Sequence, residues 1–177
     1  MYYTGRAGQL YTRSREKIVD NVRLLYIEDN PHQREDLAAQ LGERGFAVVT
    51  AADGREGLER FAHESFDLVL CDLNMEPIDG LAVLHAVKEA RPQVPVVILT
   101  AHGSVAQAVE AIKQGAYRFI VKPAGIVDLE LTIYQAIEHA SLQQRLADYS
   151  HMLERTVEER SGKLEFANRQ LAALNDV

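Results

Sequence analysis

Residues 66–72 read Phe-Asp-Leu-Val-Leu-Cys-Asp, an apolar run as long as one buried strand that ends at an aspartate. Three other apolar runs also end at polar side chains. These are residues 24–27 before Glu28 and Asp29, residues 94–99 before Thr100, and residues 119–121 before Lys122. Short runs of this kind, each followed by a helical pattern, are typical of parallel strands covered on both faces. The sequence therefore predicts a parallel sheet with polar side chains at the ends of its strands.

Strands and helices alternate without exception from Arg23 to His139. The predicted strands are residues 23–27, 46–50, 66–71, 94–99 and 117–121. Helices are predicted after the capping residues Asn30 (with Pro31), Asp53 and Asp79, from about Ser104 to Gln114, and from Val127-Asp128. We expect the first helix to end at Gly45. This alternation predicts an α/β fold with a five-stranded, doubly wound parallel sheet.

Composition limits the classes of function. The chain has 177 residues, 47% of them hydrophobic and 25% charged, and its net charge of −7 makes nucleic acid an unlikely partner. It contains no apolar run as long as the ~20 residues that span a membrane. The single Cys71 fits a reducing compartment, so we expect a cytoplasmic protein with no membrane partner. Residues 1–20 are a polar, mildly basic and flexible extension in this prediction, without a signal peptide's apolar core.

The last helix continues beyond the predicted domain. Residues 129–174 contain no proline, and apolar side chains recur with heptad-like spacing once Arg160 is counted in the seam. The seam consists of Leu142, Leu146, Tyr149, Leu153, Val157, Arg160, Leu164, Ala167, Leu171 and Leu174. One local shift in the spacing is a stutter, which unwinds a coiled coil. The helix could pack back on its own domain, but we favour a homodimer through residues 140–177, of undetermined orientation. Residues 21–139 would then form the folded domain.

The polar strand ends form a set suited to phosphoryl chemistry. Ligand sites in such sheets lie at the carboxyl ends of the strands, so Glu28, Asp29 and Asp72 should share one cleft. Carboxylate oxygens with room for water suit Mg²⁺. Lys122 can hold a phosphoryl oxygen and Thr100 can donate to another. Asp72, central in the sheet, is the candidate nucleophile that forms an aspartyl-phosphate.

In order and spacing, these residues resemble the receiver domain of bacterial two-component response regulators, over about residues 22–139. The resemblance implies a flavodoxin-like fold and makes Asp72 the phosphoacceptor of a sensor histidine kinase's phosphohistidine. It implies that Mg²⁺ is bound by Asp29, Asp72 and the backbone carbonyl of Asn74, with Glu28 acting largely through water. Thr100 resembles the family's switch hydroxyl and Lys122-Pro123 its Lys-Pro pair.

The resemblance also assigns residues that modulate the site. The stretch at residues 115–119 places Phe119 as the switch aromatic, and Asn74 and His102 occupy the two variable positions that tune loss of the phosphoryl group. The chain departs from the family pattern at Glu76, where a proline is frequent. Glu76 adds a negative charge near the predicted phosphoryl pocket.

Residues 153–171 are similar to linkers that join receivers to catalytic output domains, such as histidine kinase, diguanylate cyclase, phosphodiesterase or phosphatase domains. The chain ends inside this pattern, so we interpret it as a fragment of a longer protein. The alternative is that the coil itself is the output surface. The chain would be a signalling domain, not an enzyme, and would catalyse only its own phosphorylation and dephosphorylation.

Two functions from other classes remain open. A phosphohydrolase with an aspartyl-phosphate intermediate usually has a second Asp two residues after the nucleophile, where this chain has Asn74. A degenerate receiver could serve only as a dimeric adaptor. The intact set Glu28, Asp29, Asp72, Thr100 and Lys122 argues against the adaptor.

Overall fold

The computed structural model describes residues 22–101 and 103–175, except the side chains of residues 166–168 and 170–175. Several predictions concern residues outside this description: the 1–20 extension, His102, and the seam positions Ala167, Leu171 and Leu174. The chain divides into two compact units, with the boundary between Glu138 and His139.

Strands and helices alternate along the described chain. The strands are β1 (Arg23–Ile27), β2 (Ala47–Ala51), β3 (Leu68–Asp72), β4 (Val96–Thr100) and β5 (Arg118–Val121). The helices are α1 (Pro31–Gly42), α2 (Gly54–His63), α3 (Gly80–Ala90), α4 (Val105–Lys113) and α5 (Ile126–Asn175). The sheet order is β2-β1-β3-β4-β5 and every neighbouring pair is parallel. This is the flavodoxin-like order, and the predicted fold is confirmed.

The predicted helix starts have the expected caps. The side chain of Asn30 accepts from the backbone N–H groups of His32 and Gln33 at the start of α1. Asp53 and Asp79 cap α2 and α3 in the same way. Ser104 and Gln107 form a reciprocal capping box at α4. Each cap satisfies N–H groups that have no partner within the helix.

The sheet is buried on both faces, because alternate side chains enter different core layers. Along β3, Leu68 and Leu70 pack in the layer that also contains Leu41 of α1 and Ile133 of α5. Val69 and Cys71 pack in the opposite layer, with residues of α2, α3 and α4. This explains why the strands are almost continuously apolar, and it directs successive residues at each strand end to opposite faces of the sheet.

Some boundaries differ from the prediction. β3 and β4 each begin two residues later than predicted and include the polar residue at their end, Asp72 and Thr100. The hydrogen-bonded ladder between β3 and β4 begins later than predicted because Pro95 has no N–H to donate, although its carbonyl accepts from Val69 N at 3.0 Å. The same ladder continues past the predicted end of β3 because Leu73 N donates to Leu99 O at 3.1 Å.

Helix α1 ends at Gly42, three residues before the predicted end at Gly45. Backbone bonds from Arg44 N to Leu41 O and from Gly45 N to Gly42 O close a turn there. Gly45 has φ 91°, a conformation that glycine adopts without a steric penalty. The helix therefore stops one turn earlier, and Gly45 leads the chain into β2.

The second unit, from His139, is a continuous helix in the described residues. The predicted seam side chains that the structure describes are exposed, from 50% for Leu142 and Leu153 to 70% for Leu146. Within the described chain, no helix has both the length and the apolar character needed to cross a bilayer.

Candidate functional site at the carboxyl ends of the strands

Three strands bring a buried charge cluster together. Glu28 follows β1, Asp72 ends β3 and Lys122 follows β5. The Lys122 ammonium donates to Asp72 Oδ1 at 3.0 Å and to Glu28 Oε2. Glu28 is 2% exposed and Asp72 6% exposed, so one cation is shared between two carboxylates that have little access to water. Removing one partner would leave a buried charge unpaired, which makes the cluster a single electrostatic unit.

The Glu28 carboxylate is held on both oxygens. Its Oε2 accepts from the Tyr26 hydroxyl at 3.0 Å as well as from Lys122, and its Oε1 accepts a long bond from Asn30 N at 3.4 Å. Burial raises the pKa of the Tyr26 hydroxyl far above its ordinary value, and the Glu28 charge raises it further. Tyr26 therefore stays a hydrogen-bond donor to Glu28 throughout the physiological range.

The Asp72 carboxylate is oriented by its own loop. Its Oδ2 accepts from the backbone N–H of Asn74 at 2.8 Å, while Oδ1 faces Lys122. The neighbouring Cys71 is completely buried, and this burial, followed by the Asp72 charge, raises the pKa of its thiol. Cys71 therefore stays a neutral thiol beside Asp72.

Thr100 lies on the other face of the sheet, at the end of β4. Its hydroxyl accepts from the Asn74 side-chain amide at 3.2 Å. A Cβ added at Gly103 would meet the Phe119 ring at 2.6 Å and the Thr100 methyl at 2.9 Å. Gly103 thus lies against both residues of the predicted switch pair, with a space that only glycine leaves open.

Asp29 is exposed beside the cluster, and the Arg34 guanidinium donates to the backbone carbonyls of Glu28 at 2.7 Å and Asp29 at 3.4 Å. Across residues 22–101 and 103–175, no three His, Cys, Asp or Glu side chains form a group that could hold a metal. The predicted ligands are two carboxylates and one backbone carbonyl. Mg²⁺ typically takes one or two protein carboxylates and keeps several waters, so this donor set fits it.

The structure joins Glu28, Asp72 and Lys122 directly, and joins Thr100 to Asp72 through Asn74. Glu76 is exposed, in the loop after Asp72. The roles of these residues, of Asp29 and of Phe119 stay predictions.

Two contacts of the charge cluster were not predicted from the sequence. Tyr26 could have been found, because side chains two residues apart on a strand share a face. Gln33, whose side-chain oxygen accepts from Lys122 Nζ at 3.0 Å, gave no sequence signal, since the two are 89 positions apart.

Known proteins share this arrangement of strands. The family described as the response regulator receiver domain matches residues 24–134. Transcriptional regulatory protein ZraR of Escherichia coli (strain K12) is 40% identical over 120 residues, which are 68% of this chain and 27% of that protein. Transcriptional regulatory protein GlrR of the same strain is 42% identical over 117 residues, 66% of this chain and 26% of that protein. The chain thus spans only about a quarter of the length of these curated relatives.

Solved structures of similar proteins have a similar fold. A response regulator receiver domain protein from Clostridium thermocellum is 32% identical with a TM-score of 0.66, and the match covers 69% of this chain and 98% of that one. NtrX from Brucella abortus is 33% identical with a TM-score of 0.67, over 71% of this chain and 29% of that one. The family match covers more than half of the chain, and the strand order agrees with it. The chain therefore belongs to the response regulator receiver domain family.

Proposed function

We propose that this receiver accepts a phosphoryl group on Asp72 from the phosphohistidine of a sensor histidine kinase. The observation that carries the proposal is the Lys122 ammonium 3.0 Å from Asp72 Oδ1, at the end of the central strand of the sheet. One carboxylate oxygen is oriented by Asn74 N and the other faces a fixed cation. Phosphoryl transfer requires mainly positioning and neutralisation of charge, and both are built into this cluster.

In the proposed transfer, a carboxylate oxygen of Asp72 forms a bond to phosphorus. The phosphorus–nitrogen bond of the donor breaks, and the imidazole nitrogen keeps the electron pair and takes a proton from water. Lys122 offsets the negative charge of the phosphoryl oxygens. In the separate hydrolysis step, water attacks phosphorus and gives up a proton to solvent, the bond to Asp72 breaks, and the carboxylate and inorganic phosphate are released.

Asp29, Asp72 and the backbone carbonyl of Asn74 are the residues proposed to hold Mg²⁺. The ion would supply positive charge to the phosphoryl oxygens. Glu28 has a different part in the proposal: it is buried, accepts from the Lys122 ammonium and helps to hold this cation beside Asp72. The proposal also places the protein in the cytoplasm.

Thr100 and Phe119 are proposed to read the phosphorylated state. The Thr100 hydroxyl would move toward the phosphoryl group, and the Phe119 ring, which lies against Gly103, would fill the space it leaves. We propose that the coil at residues 140–177 dimerises and relays this change to an output domain.

The test uses a small phosphodonor, acetyl phosphate, with Mg²⁺ and intact-mass measurement. We expect a single phosphoryl adduct that disappears in Asp72→Asn and when the metal is chelated. Asp72→Asn keeps the size of the side chain but cannot form the acyl phosphate.

Other outcomes distinguish the remaining functions. Absence of an adduct in the unmodified chain would contradict the proposal and favour a dimeric adaptor. Continued turnover of phosphate esters, with Asn74 in place of the usual general acid, would favour a phosphohydrolase.

A further inference from the structure

We propose that Arg34 is a positioning residue that holds the exposed carboxylate of Asp29 in place for a hydrated Mg²⁺ ion. The inference rests on the proposed function and adds to it a residue of α1 that bonds to the backbone of the acidic pair, Glu28 and Asp29. Arg34 thereby sets how tightly the receiver binds Mg²⁺ before any phosphoryl group is transferred.

The first step of the argument is that the Asp29 carboxylate is not held at its own oxygens. The side chain is exposed, and no group within residues 22–101 and 103–175 donates a hydrogen bond to it. Asp72, in contrast, accepts at one oxygen from Asn74 N and at the other from Lys122. The direction of the Asp29 side chain is therefore set by its backbone.

The second step is that Arg34 bonds to this backbone. Its guanidinium donates to the Glu28 carbonyl at 2.7 Å and to the Asp29 carbonyl at 3.4 Å. The Glu28 carbonyl belongs to the planar peptide that joins the two acidic residues, so the short bond fixes the plane from which the Asp29 side chain extends. The donor is permanently charged, which makes such a bond stronger than one from a neutral donor.

The third step is that the groups on either side of this peptide are themselves anchored. Arg34 is half-buried, and its backbone N–H donates to Asn30 O at 2.9 Å in the first turn of α1. On the other side, Glu28 N donates to Ala51 O at 3.1 Å. The guanidinium thus completes a loop that is held in one conformation. A loop that is already ordered binds its ligand more tightly, because binding no longer has to order it.

The charge of Arg34 and its positioning effect act on Mg²⁺ binding in opposite directions. A cation beside the site repels Mg²⁺, so loss of the charge alone would make binding tighter. Loss of the bonds frees the peptide, which must then be ordered when the ion binds. Fixing the backbone of one residue costs the equivalent of about fivefold or more in affinity. The direction of the change in affinity therefore distinguishes the two effects.

The experiment is a titration of the isotope-labelled full chain with MgCl₂, followed by NMR without a phosphodonor. It is carried out at about 0.15 M salt, where repulsion between exposed charges is largely screened. Arg34→Met should bind Mg²⁺ about fivefold more weakly than the unmodified chain. Before Mg²⁺ is added, the backbone order parameters of Asp29 and Asn30 should also be lower in Arg34→Met, which loss of charge alone would not cause.

Arg91 provides the matched control. It is also half-buried and donates to two backbone carbonyls, those of Phe61 at 2.6 Å and Glu64 at 2.8 Å. These residues lie where α2 and α3 lead into β3 and β4, at the opposite edge of the sheet. Arg91→Met removes the same charge and the same kind of bonds, so it tests the effect of general destabilisation. It should bind Mg²⁺ as tightly as the unmodified chain.

If Arg34→Met fails to fold by circular dichroism, Arg34→Lys takes its place. Lysine keeps the charge, but its side chain is one bond shorter and does not reproduce the guanidinium contacts. We expect weaker binding of Mg²⁺ in this variant too.

Three results would overturn this inference alone, provided that the unmodified chain binds Mg²⁺. They are equal or tighter binding in the folded Arg34 variant, unchanged order parameters in that variant, and an equal weakening in Arg91→Met. An unmodified chain that forms the acetyl phosphate adduct without binding Mg²⁺ would overturn the proposed metal site and this inference. A chain that does neither would overturn the proposed function as well.

Discussion

Glu28 lies between Lys122 and Tyr26 and is almost completely removed from water. A buried carboxylate is stable only when its charge is paired and its oxygens are hydrogen-bonded. Both conditions are met, because Lys122 supplies the charge and Tyr26 and Asn30 supply further donors. The acidic pair is thus divided in the structure: Glu28 faces the lysine, and the exposed Asp29 is the residue of the pair that a hydrated metal can reach.

Tyr26→Phe should destabilise the receiver by about 1.5–3 kcal/mol, the range for losing a hydrogen bond to a charged group. The phenyl ring still fills the core, but Glu28 Oε2 loses the donor at 3.0 Å. Urea unfolding followed by circular dichroism measures the change in free energy.

Tyr149→Phe is the control for removing a phenol hydroxyl, because Tyr149 is 62% exposed. Its free energy of unfolding should stay close to that of the unmodified chain. An equally small change in Tyr26→Phe would show that the buried hydroxyl does not stabilise the Glu28 carboxylate.

At this scale, the sequence predicted the residues that end strands, and the reason is local. Asp72 and Lys122 each interrupt an apolar run, which marks them without knowledge of their neighbours. The contacts among them depend on tertiary geometry. Tyr26 is hidden inside an apolar run, and Gln33 reaches Lys122 only because α1 and the end of β5 are adjacent in space.

Strand periodicity divides the site into two groups of side chains. Tyr26, Leu70 and Ile120 pack on the α1 and α5 face, and Glu28, Asp72 and Lys122 continue the same alternation two residues later. Ile98 and Phe119 pack on the opposite face, where Thr100 and Gly103 also lie. The charge cluster and the proposed switch pair therefore extend from opposite faces at the same end of the sheet, and Asn74 bonds to both.

Gly103→Ala should destabilise the fold by about 1–3 kcal/mol, the usual cost of overpacking. The new methyl group would lie 2.6 Å from the Phe119 ring, so the ring or the loop must move. In a Phe119→Ala background the same substitution should cost much less. A double-mutant cycle from urea unfolding measures this coupling.

Gly42→Ala is a suitable control, because nothing lies within 4 Å of a Cβ at that helical position. It should stabilise the protein slightly, since alanine favours the helix. If Gly103→Ala costs the same with and without the Phe119 ring, the ring does not occupy the space beside Gly103.

The type of each element was predicted correctly from the sequence, whereas some of the element ends were not. The caps at Asn30, Asp53 and Asp79 are local signals that predicted three helix starts correctly, and the start of α4 lies where a helix from about Ser104 was predicted. Strand ends depend on pairing with a neighbour. For this reason β3 extends to Asp72, opposite Leu99, although its apolar run ends one residue earlier.

At the scale of the whole molecule, the second unit contains a row of exposed apolar side chains on one long helix. Leu142, Leu146, Leu153 and Val157 belong to this row and are 50% to 70% exposed. Helices with this spacing usually bury such a seam against a partner helix. Leu153 and Val157 lie on either side of the predicted stutter, where the heptad spacing shifts by one step.

If the seam joins two copies, charge placed in it should separate them. We expect the double substitution Leu146→Asp with Leu153→Asp to change the full chain from dimer to monomer, because each carboxylate would have to leave water without a partner. Gln144→Asp, outside the seam, adds a charge on the same helix and should leave the dimer intact. Sedimentation equilibrium over a range of protein concentrations gives the mass of each variant. A monomeric unmodified chain would contradict dimerisation through residues 140–177, and a dimer that survives the double substitution would place the interface outside this seam.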